Sequence, residues 1–291
     1  MKIYVLGSTG MLGRAFIKHF GKCNDLVLPG VDTPRVSVTD YTALFNDIGG
    51  FKPDTVVNFA AICDMEKCER DPEMAVKVHA LGSANVALIA DRLEANYMYI
   101  SSACAFSGHA YEYPDYATPS PISVYGKTKV FGEEIARSVP KHYVVRTEWC
   151  FGGGPKYDTK FLGKIYRQIA SGKTEISAVQ DKYGSLSYLP DFCKGVEKVL
   201  ETGEHGTYHI ACEGSATRYE VAKEFVRLLG VDVKVNPAHS SEFSGEYFAP
   251  RPMSERLVNS TIPGFTPRSW QECLSDYSKE FLEDSWMLKT T

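Results

Sequence analysis

The feature that most constrains this chain is a glycine-rich turn placed directly after its N-terminal apolar run. Lys2–Leu6 predicts a β-strand and Met11–Phe20 predicts an amphipathic helix, with Gly7, Gly10 and Gly13 at the junction. In such a unit the three glycines allow a tight turn, close approach of a pyrophosphate, and close packing of helix on sheet. The helix N-terminus presents unpaired amides and a positive dipole end to phosphate. The turn therefore predicts dinucleotide binding, with contacts from Gly7, Thr9, Gly10, Met11, Leu12 and Gly13.

The first half of the chain alternates short apolar runs with longer helical stretches, which indicates a parallel sheet of βαβ units. Further strands are predicted at Thr55–Phe59, Tyr97–Ser101 and His142–Thr147, with a long helix from Asp71 to Glu94. The predicted fold class is α/β, a Rossmann-like doubly wound parallel sheet with a smaller, discontinuous substrate-binding lobe. We expect the NAD(P)-binding domain over residues 1–150 with returning segments near 172–212, and the lobe mainly over 151–171 and 213–291.

Charge and composition exclude several classes of protein. The 291 residues carry a formal net charge of −4, so no basic field predicts nucleic acid or an anionic membrane as a partner. No apolar stretch approaches the roughly 20 residues that a bilayer span needs. The N-terminus leads into the first strand without a cleavage pattern, and the eight cysteines include no C-x-x-C pair. These features predict a cytoplasmic protein with reduced cysteines and no metal site.

Three polar residues form a candidate catalytic set. Tyr125 and Lys129 are four residues apart in a predicted helix, so their side chains share one face. Ser102 follows the strand Tyr97–Ser101 at the carboxyl end, where sheets of this kind bind ligands. Reduction of a ketone by hydride needs a proton donor, and a nearby ammonium lets a tyrosine act as one. We therefore predict that Tyr125 donates the proton, Lys129 supports it and bonds the nicotinamide ribose, and Ser102 orients the carbonyl oxygen.

Beyond these residues, the sequence resembles the extended short-chain dehydrogenases, and within them the dTDP-4-dehydrorhamnose reductase family. The likeness covers nearly the whole chain and keeps the order and spacing of several segments. They are Val36–Asp40, Val57–Ala61, Asp71–Glu73, Val78–Gly82, Ile100–Ser102, Val124–Lys129, Val145–Trp149, Gly206–His209 and Arg251-Pro252.

The resemblance implies an NAD(P)H-dependent reduction of the C4 keto group of a nucleotide-activated, dTDP-linked 4-keto-6-deoxy sugar. It implies Ser102, Tyr125 and Lys129 as the catalytic residues. Ser37 and Val38 would lie near the adenine, and Phe59, Ala60 and Ala61 would line the cofactor. The substrate would meet Ser102, Ala103, Tyr125, Trp149 and Arg251, with Arg251 a partner for phosphate. The cofactor is NADP or NAD, with NADPH favoured; Asp32 is a candidate for the adenosine ribose, and an ordinary loop aspartate is the alternative.

The departures from the family pattern leave other functions open. Ser102-Ala103-Cys104-Ala105-Phe106 replaces Thr-Asp-Tyr-Val-Phe, His79 replaces asparagine, and Gly184–Ser187 replaces a Gly-Ser-Pro-Thr-like turn. A sugar-nucleotide epimerase or dehydratase of the same fold is one alternative, but it needs an extra acid or base, and Ala103 and Cys104 beside Ser102 offer no carboxylate. A non-catalytic NADP-binding regulatory subunit, similar to that of methionine adenosyltransferase, is another. The resemblance makes a homodimer an expectation, and the sequence shows no interface signature for it.

Overall fold

The structure, a computed structural model, describes residues 1–22, 25–27 and 36–283. Its strands are β1 (Lys2–Leu6), β2 (Asp25–Val27), β3 (Thr55–Asn58), β4 (Asn96–Ser102), β5 (His142–Thr147), β6 (Cys150–Phe151), β7 (Glu175–Val179), β8 (Tyr183–Gly184), β9 (Ser187–Tyr188), β10 (Gly206–His209), β11 (Ala216–Thr217), β12 (Lys234–Ala238) and β13 (Ser254–Glu255). Its α-helices are α1 (Met11–Phe20), α2 (Tyr41–Phe51), α3 (Met65–Arg70), α4 (Pro72–Val76), α5 (Gly82–Arg92), α6 (Val124–Arg137), α7 (Phe161–Ala170), α8 (Leu189–Thr202), α9 (Arg218–Leu229) and α10 (Trp270–Glu283).

A six-stranded parallel sheet forms the centre of the first half, in the order β10-β5-β4-β3-β1-β2. The chain changes direction across the sheet between β1 and β3, because β2 lies on one side of β1 and all later strands lie on the other. Open α/β sheets bind ligands outside the carboxyl ends of their strands at such a switch point. The glycine turn after β1 and the segment after β3 both lie at this edge.

Helices cover both faces of this sheet, as a buried parallel sheet requires. On one face, Phe16 and Phe20 of α1 pack with Phe192 and Val196 of α8. On the other face, α2 and α5 cover the sheet, and Val86 of α5 is fully buried there. Local signals fix where these helices begin: the Asp40 carboxylate accepts from the Ala43 amide, and the Ser123 hydroxyl accepts from the Gly126 amide at the start of α6.

The later part of the chain builds a second core around α7, α9 and α10. Its buried side chains include Tyr166, Phe225, Tyr277 and Phe281. Short sheets complete this lobe: β12 pairs with β7, β11 and β13 flank β8, and β6 pairs with β9. The amphipathic α9 begins with a reciprocal capping box between Thr217 and Glu220, which fixes its N-terminus. No helix in the described ranges is long and apolar enough to cross a bilayer.

The α/β prediction, with a parallel sheet and a smaller lobe, is confirmed, and β1, α1 and β5 have the predicted bounds. The segments that return to the main sheet are narrower than expected. Residues 175–179 were expected to return, but they form β7 and pair with β12 in the lobe, so it is α8 and β10 that rejoin the first domain. The long helix predicted from Asp71 to Glu94 is confirmed as a continuous helical run that comprises α4, a π-helical turn at Lys77–Leu81, and α5.

Candidate active site

The glycine turn has the geometry that phosphate binding requires. Gly7 has φ +73°, and a β-carbon there would lie 2.8 Å from the backbone nitrogen of Ala60. A β-carbon on Gly13 would collide with the Gly7 carbonyl oxygen, so α1 packs on the turn only without a side chain. Gly10 is the N-cap of α1 and contributes no side-chain cap, which leaves the first helical amides for a ligand. These residues fit a dinucleotide pyrophosphate.

The predicted adenine and cofactor-lining residues lie along the same sheet edge. Phe59 and Ala60 directly follow β3, and the Ala60 amide donates to the Asn58 side chain at 3.0 Å. Ser37 is exposed, whereas Val38 is 6% exposed and packs against Gly82, so Val38 faces the core. Asp32, the candidate for the ribose, lies outside the described residues.

A buried histidine joins this edge to the catalytic helix. His79, in the π-helical turn, accepts from the Ile62 amide through Nε2 at 2.9 Å and contacts Thr128 Oγ1 through Nδ1 at 2.8 Å. The Thr128 hydroxyl donates to the Val124 carbonyl, so Nδ1 carries the proton and donates to Thr128. Burial lowers the pKa of His79 to about 3, so the ring is neutral. The imidazole thus acts as a fixed spacer, and its ring meets that of Tyr125 edge-on at 5.7 Å.

Tyr125 and Lys129 rise from the first turns of α6, as predicted. Burial, followed by the charges of neighbouring groups, raises the pKa of Tyr125 well above its ordinary value, so the phenol keeps its proton at neutral pH. The Lys129 ammonium donates to the Ile100 carbonyl at 2.6 Å and lies 4.0 Å from the centre of the Tyr99 ring. Burial lowers the pKa of Lys129 to about 8. The bond to the Ile100 carbonyl therefore fixes the ammonium against β4.

A buried ion pair anchors the same helix from behind. Glu133, one turn after Lys129, accepts from Arg146 of β5 through both carboxylate oxygens, at 2.9 and 2.7 Å. The Ser101 hydroxyl of β4 adds a third bond at 2.6 Å, and Arg137 a fourth at 2.9 Å. This network ties α6 to β4, which ends at Ser102, and to the neighbouring strand β5.

Ser102 lies at the carboxyl end of β4, and its hydroxyl has a partner that the sequence did not reveal. It donates to Glu148 Oε2 at 3.2 Å and accepts from the Cys104 amide. Glu148 follows β5, the neighbouring strand. The expectation that Ser102 has no carboxylate beside it is therefore wrong, because Ala103 and Cys104 are its neighbours along the chain but Glu148 is its neighbour across the sheet.

The carboxylate of Glu148 belongs to a buried polar cluster. The sulfur of Cys104 and one carboxylate oxygen each of Glu148 and Glu255 all lie within 4.8 Å of one another. The Cys104 thiol donates to Glu255 Oε1 at 3.0 Å, and the Trp149 indole nitrogen donates to Glu255 Oε2 at 3.1 Å. The Arg218 guanidinium lies 3.8 Å from the centre of the Trp149 ring and supplies the nearby positive charge.

The remaining predicted substrate residues divide into two groups. Trp149 is partly exposed beside the cluster, and Arg251 is partly exposed in the lobe, where it bonds Glu66 of α3 at 2.7 and 3.0 Å. Ala103, in contrast, is fully buried with Phe106. The methyl group of Ala103 is therefore covered in this structure, and its contact with substrate stays a prediction.

Comparison with known proteins places the chain in a family. The family model described as "RmlD substrate binding domain" matches residues 1–283. The chain belongs to the RmlD substrate binding domain family. A dTDP-4-dehydrorhamnose reductase of Mycolicibacterium smegmatis is 31% identical over 285 residues, which is 94% of this chain and 84% of that protein.

Two solved structures of reductases in this RmlD class agree with the fold. The dTDP-4-dehydrorhamnose reductase of Yersinia enterocolitica is 32% identical with a TM-score of 0.88, covering 96% of this chain and 99% of that one. The enzyme of Bacillus anthracis, solved in complex with NADP, is 26% identical with a TM-score of 0.87, covering 97% and 99%. The recognised resemblance is therefore confirmed.

Sequence reasoning missed Glu148, Glu255, Arg218 and Glu66 as site residues. A signal existed for Glu148, because it follows a predicted strand of the parallel sheet, as Ser102 does. Nothing in the sequence marks Glu255, which is 151 positions from Cys104, or Glu66, which is 185 positions from Arg251.

Proposed function

We propose that this protein is an NAD(P)H-dependent reductase that reduces the C4 keto group of a dTDP-linked 4-keto-6-deoxy sugar. The observation that supports it most directly is that α6, which carries Tyr125 and Lys129, packs on the end of β4, where Ser102 lies and where the Lys129 ammonium bonds the Ile100 carbonyl. The RmlD family and the reductases at 31–32% identity favour the same reaction. NADP is the favoured cofactor, as in the Bacillus anthracis structure.

In the proposed reaction the dinucleotide supplies a hydride, and the chain supplies position and a proton. Gly7, Gly10 and Gly13 would hold the pyrophosphate at the start of α1. Ser102 would turn its hydroxyl hydrogen from Glu148 to the keto oxygen and orient it. Tyr125, kept neutral by burial, would give its phenolic proton to that oxygen as negative charge develops there. Reduction thus requires the protonated phenol that the structure provides.

Lys129 would support Tyr125 through its positive charge. Because its ammonium bonds the Ile100 carbonyl in this structure, its part in the proposal is to hold positive charge near the developing phenolate. Trp149 and Arg251 are proposed to border the sugar nucleotide. The homodimer and the cytoplasmic location expected from the sequence stay predictions.

The non-catalytic regulatory subunit is the alternative that a binding assay alone would not exclude. The test is NADPH oxidation against a panel of dTDP-, GDP-, UDP- and CDP-linked keto-deoxy sugars, with wild type and Tyr125→Phe. We expect turnover of a dTDP sugar by the wild type and a loss of at least ~100-fold in Tyr125→Phe, as for a lost acid catalyst. Tyr116→Phe is the matched control, because Tyr116 is 86% exposed on the preceding loop.

Two results would contradict the proposal. Normal turnover by Tyr125→Phe would remove the proposed proton donor. NADPH binding without oxidation by any sugar of the panel, together with a co-purifying protein, would favour the regulatory subunit.

A further inference from the structure

Two buried carboxyl groups at the candidate active site have no role in the reduction described above. They belong to Glu148 and Glu255, which are 9% and 7% exposed. Within residues 1–22, 25–27 and 36–283, neither forms an ion pair with a basic side chain. We call these two residues the carboxyl pair. Burial of two such groups is costly unless they serve as partners or in chemistry.

The carboxyl pair is in hydrogen-bond contact with Ser102, one of the two groups proposed to bind the keto oxygen. Glu148 accepts from the Ser102 hydroxyl, and its charge contributes to the raised pKa of Tyr125. Glu255 reaches the same place from the lobe through the Cys104 thiol. A sugar whose keto oxygen meets Ser102 and Tyr125 therefore brings its neighbouring ring carbons close to the pair.

The charge balance leaves a proton on the carboxyl pair. The nearby cation is the guanidinium of Arg218, and burial lowers its pKa to about 10, so it stays charged at neutral pH. Burial first, and the charge of Glu255 second, raise the pKa of Glu148 well above its ordinary 4.5. A protonated Glu148 with a second carboxyl within 4.8 Å presents an acid and a base together. The guanidinium also disfavours a metal ion at the same place.

We propose that the carboxyl pair exchanges protons at a ring carbon next to the ketone, so that the enzyme enolises its keto sugar as well as reducing it. This inference rests on the proposed function, because it needs the same sugar at the same site. It adds an activity of the epimerising type to the reductase.

The proposed step balances without any further reactant. The C–H bond next to the ketone breaks, and its proton passes to the ionised carboxylate of the pair. The electron pair forms a C=C bond, and the carbonyl electrons move to oxygen, giving an enolate that the Ser102 and Tyr125 hydroxyls stabilise. A proton from the pair then returns to the same carbon. In heavy water the returning hydron is deuterium.

The test is deuterium incorporation into dTDP-4-keto-6-deoxyglucose, incubated in D₂O with the full-length protein and NADP⁺, so that no hydride is available. Mass spectrometry and proton NMR follow the hydrogens beside the ketone, with a protein-free sample as the baseline. NADPH oxidation with the same sugar is measured in parallel. We expect wild type to raise exchange at least ~100-fold above the baseline, the size typical of positioned acid–base catalysis.

Variants assign the exchange to the carboxyl pair. Glu148→Gln keeps the shape but removes one of the two proton-exchanging carboxyls, and we expect the ratio of exchange to reduction to fall at least tenfold. Glu255→Gln gives a second, independent removal if Glu148→Gln does not fold. Glu73→Gln is the matched control, because it removes an exposed carboxylate on α4 that pairs only with Lys77. Tyr125→Phe should lose both activities.

The outcomes separate this inference from the proposed function. Reduction of the sugar by wild type without deuterium uptake overturns the inference and leaves the reductase standing. Exchange unchanged in both glutamine variants, or abolished by EDTA, also overturns it. Neither reduction nor exchange with any keto sugar overturns the proposed function together with the inference.

Discussion

Replacing Arg146 by methionine tests how strongly the ion pair behind the catalytic helix holds the site together. The side chains of Arg146 and Glu133 are 1% and 0% exposed, so methionine leaves a buried carboxylate without its bidentate partner. In the wild type, burial opposes ionisation, but the bonds and charge of Arg146 hold the pKa of Glu133 below its ordinary 4.5. In the variant Arg146 no longer opposes the effect of burial, so ionisation of Glu133 is disfavoured.

The loss in free energy of unfolding can be estimated by assuming that the unpaired Glu133 takes up a proton. At pH 7 this costs a carboxyl of ordinary pKa 4.5 about 3.4 kcal/mol. The figure lies within the ~3–5 kcal/mol that breaking a buried pair costs. Arg137 still reaches Glu133 and offsets part of it, so we expect a loss of about 3 kcal/mol in the free energy of unfolding.

The loss has a defined pH dependence. The depressed pKa of Glu133 stabilises the wild type above pH 4.5, and this stabilisation is lost as the pH falls through the folded-state pKa. The variant lacks it, and its unpaired Glu133 must also take up a proton at a cost that grows from about pH 4.5 upward, so the difference between the two proteins is larger at pH 7 than at pH 5. At pH 5 the cost of protonating Glu133 is only about 0.7 kcal/mol.

The measurement is urea unfolding of wild type and Arg146→Met at pH 5 and pH 7. Arg137→Met is the matched control, because Arg137 bonds the same carboxylate but is 27% exposed, and we expect it to cost less than ~1 kcal/mol. A loss below about 1 kcal/mol in Arg146→Met at pH 7, or the same loss at both pH values, would refute the reasoning.

Two further predictions concern the cofactor and the lysine. Gly13→Ala places a methyl group against the Gly7 carbonyl, so we expect NADPH binding to be weakened at least tenfold in a fluorescence titration. Gly49→Ala is the control, because Gly49 lies in open space on α2. We expect this variant to bind NADPH normally and to gain roughly 0.5–1 kcal/mol in free energy of unfolding. Because the pKa of Lys129 is lowered to about 8, its charge is lost as the pH rises through that value, and kcat/KM for sugar reduction should fall above it. Lys129→Met should have low activity and lack this alkaline limb; a wild-type limb preserved in the variant would assign it to another group.

Local signals in the sequence sufficed for the first domain. The β1–α1 unit, its three glycines, and the Tyr125–Lys129 spacing each depend on residues close together along the chain, and the structure has them where they were predicted. The N-caps Asp40 and Ser123 are likewise local, since each side chain bonds an amide three positions ahead.

Non-local contacts account for what was missed. The β7–β12 pair joins strands 59 residues apart in register, Lys234 with Glu175, so no local pattern reveals that they pair. α10 was not predicted, although it supplies Tyr277 and Phe281 to the lobe core. The neighbours of Ser102 were misjudged for the same reason, because strand order, not chain order, places Glu148 beside it.

The bond between Arg251 and Glu66 also bears on which molecules can enter the cleft. Arg251 comes from the lobe and Glu66 from the first domain, so the two walls are already fastened by opposite charges. A guanidinium engaged in this way is masked from chloride or free phosphate, since one weak contact does not offset the displacement of a carboxylate. A ligand that contacts both the lobe and the first domain at several points can offset that displacement. A molecule that binds Arg251 must therefore displace its bonds to Glu66 or share the guanidinium with them.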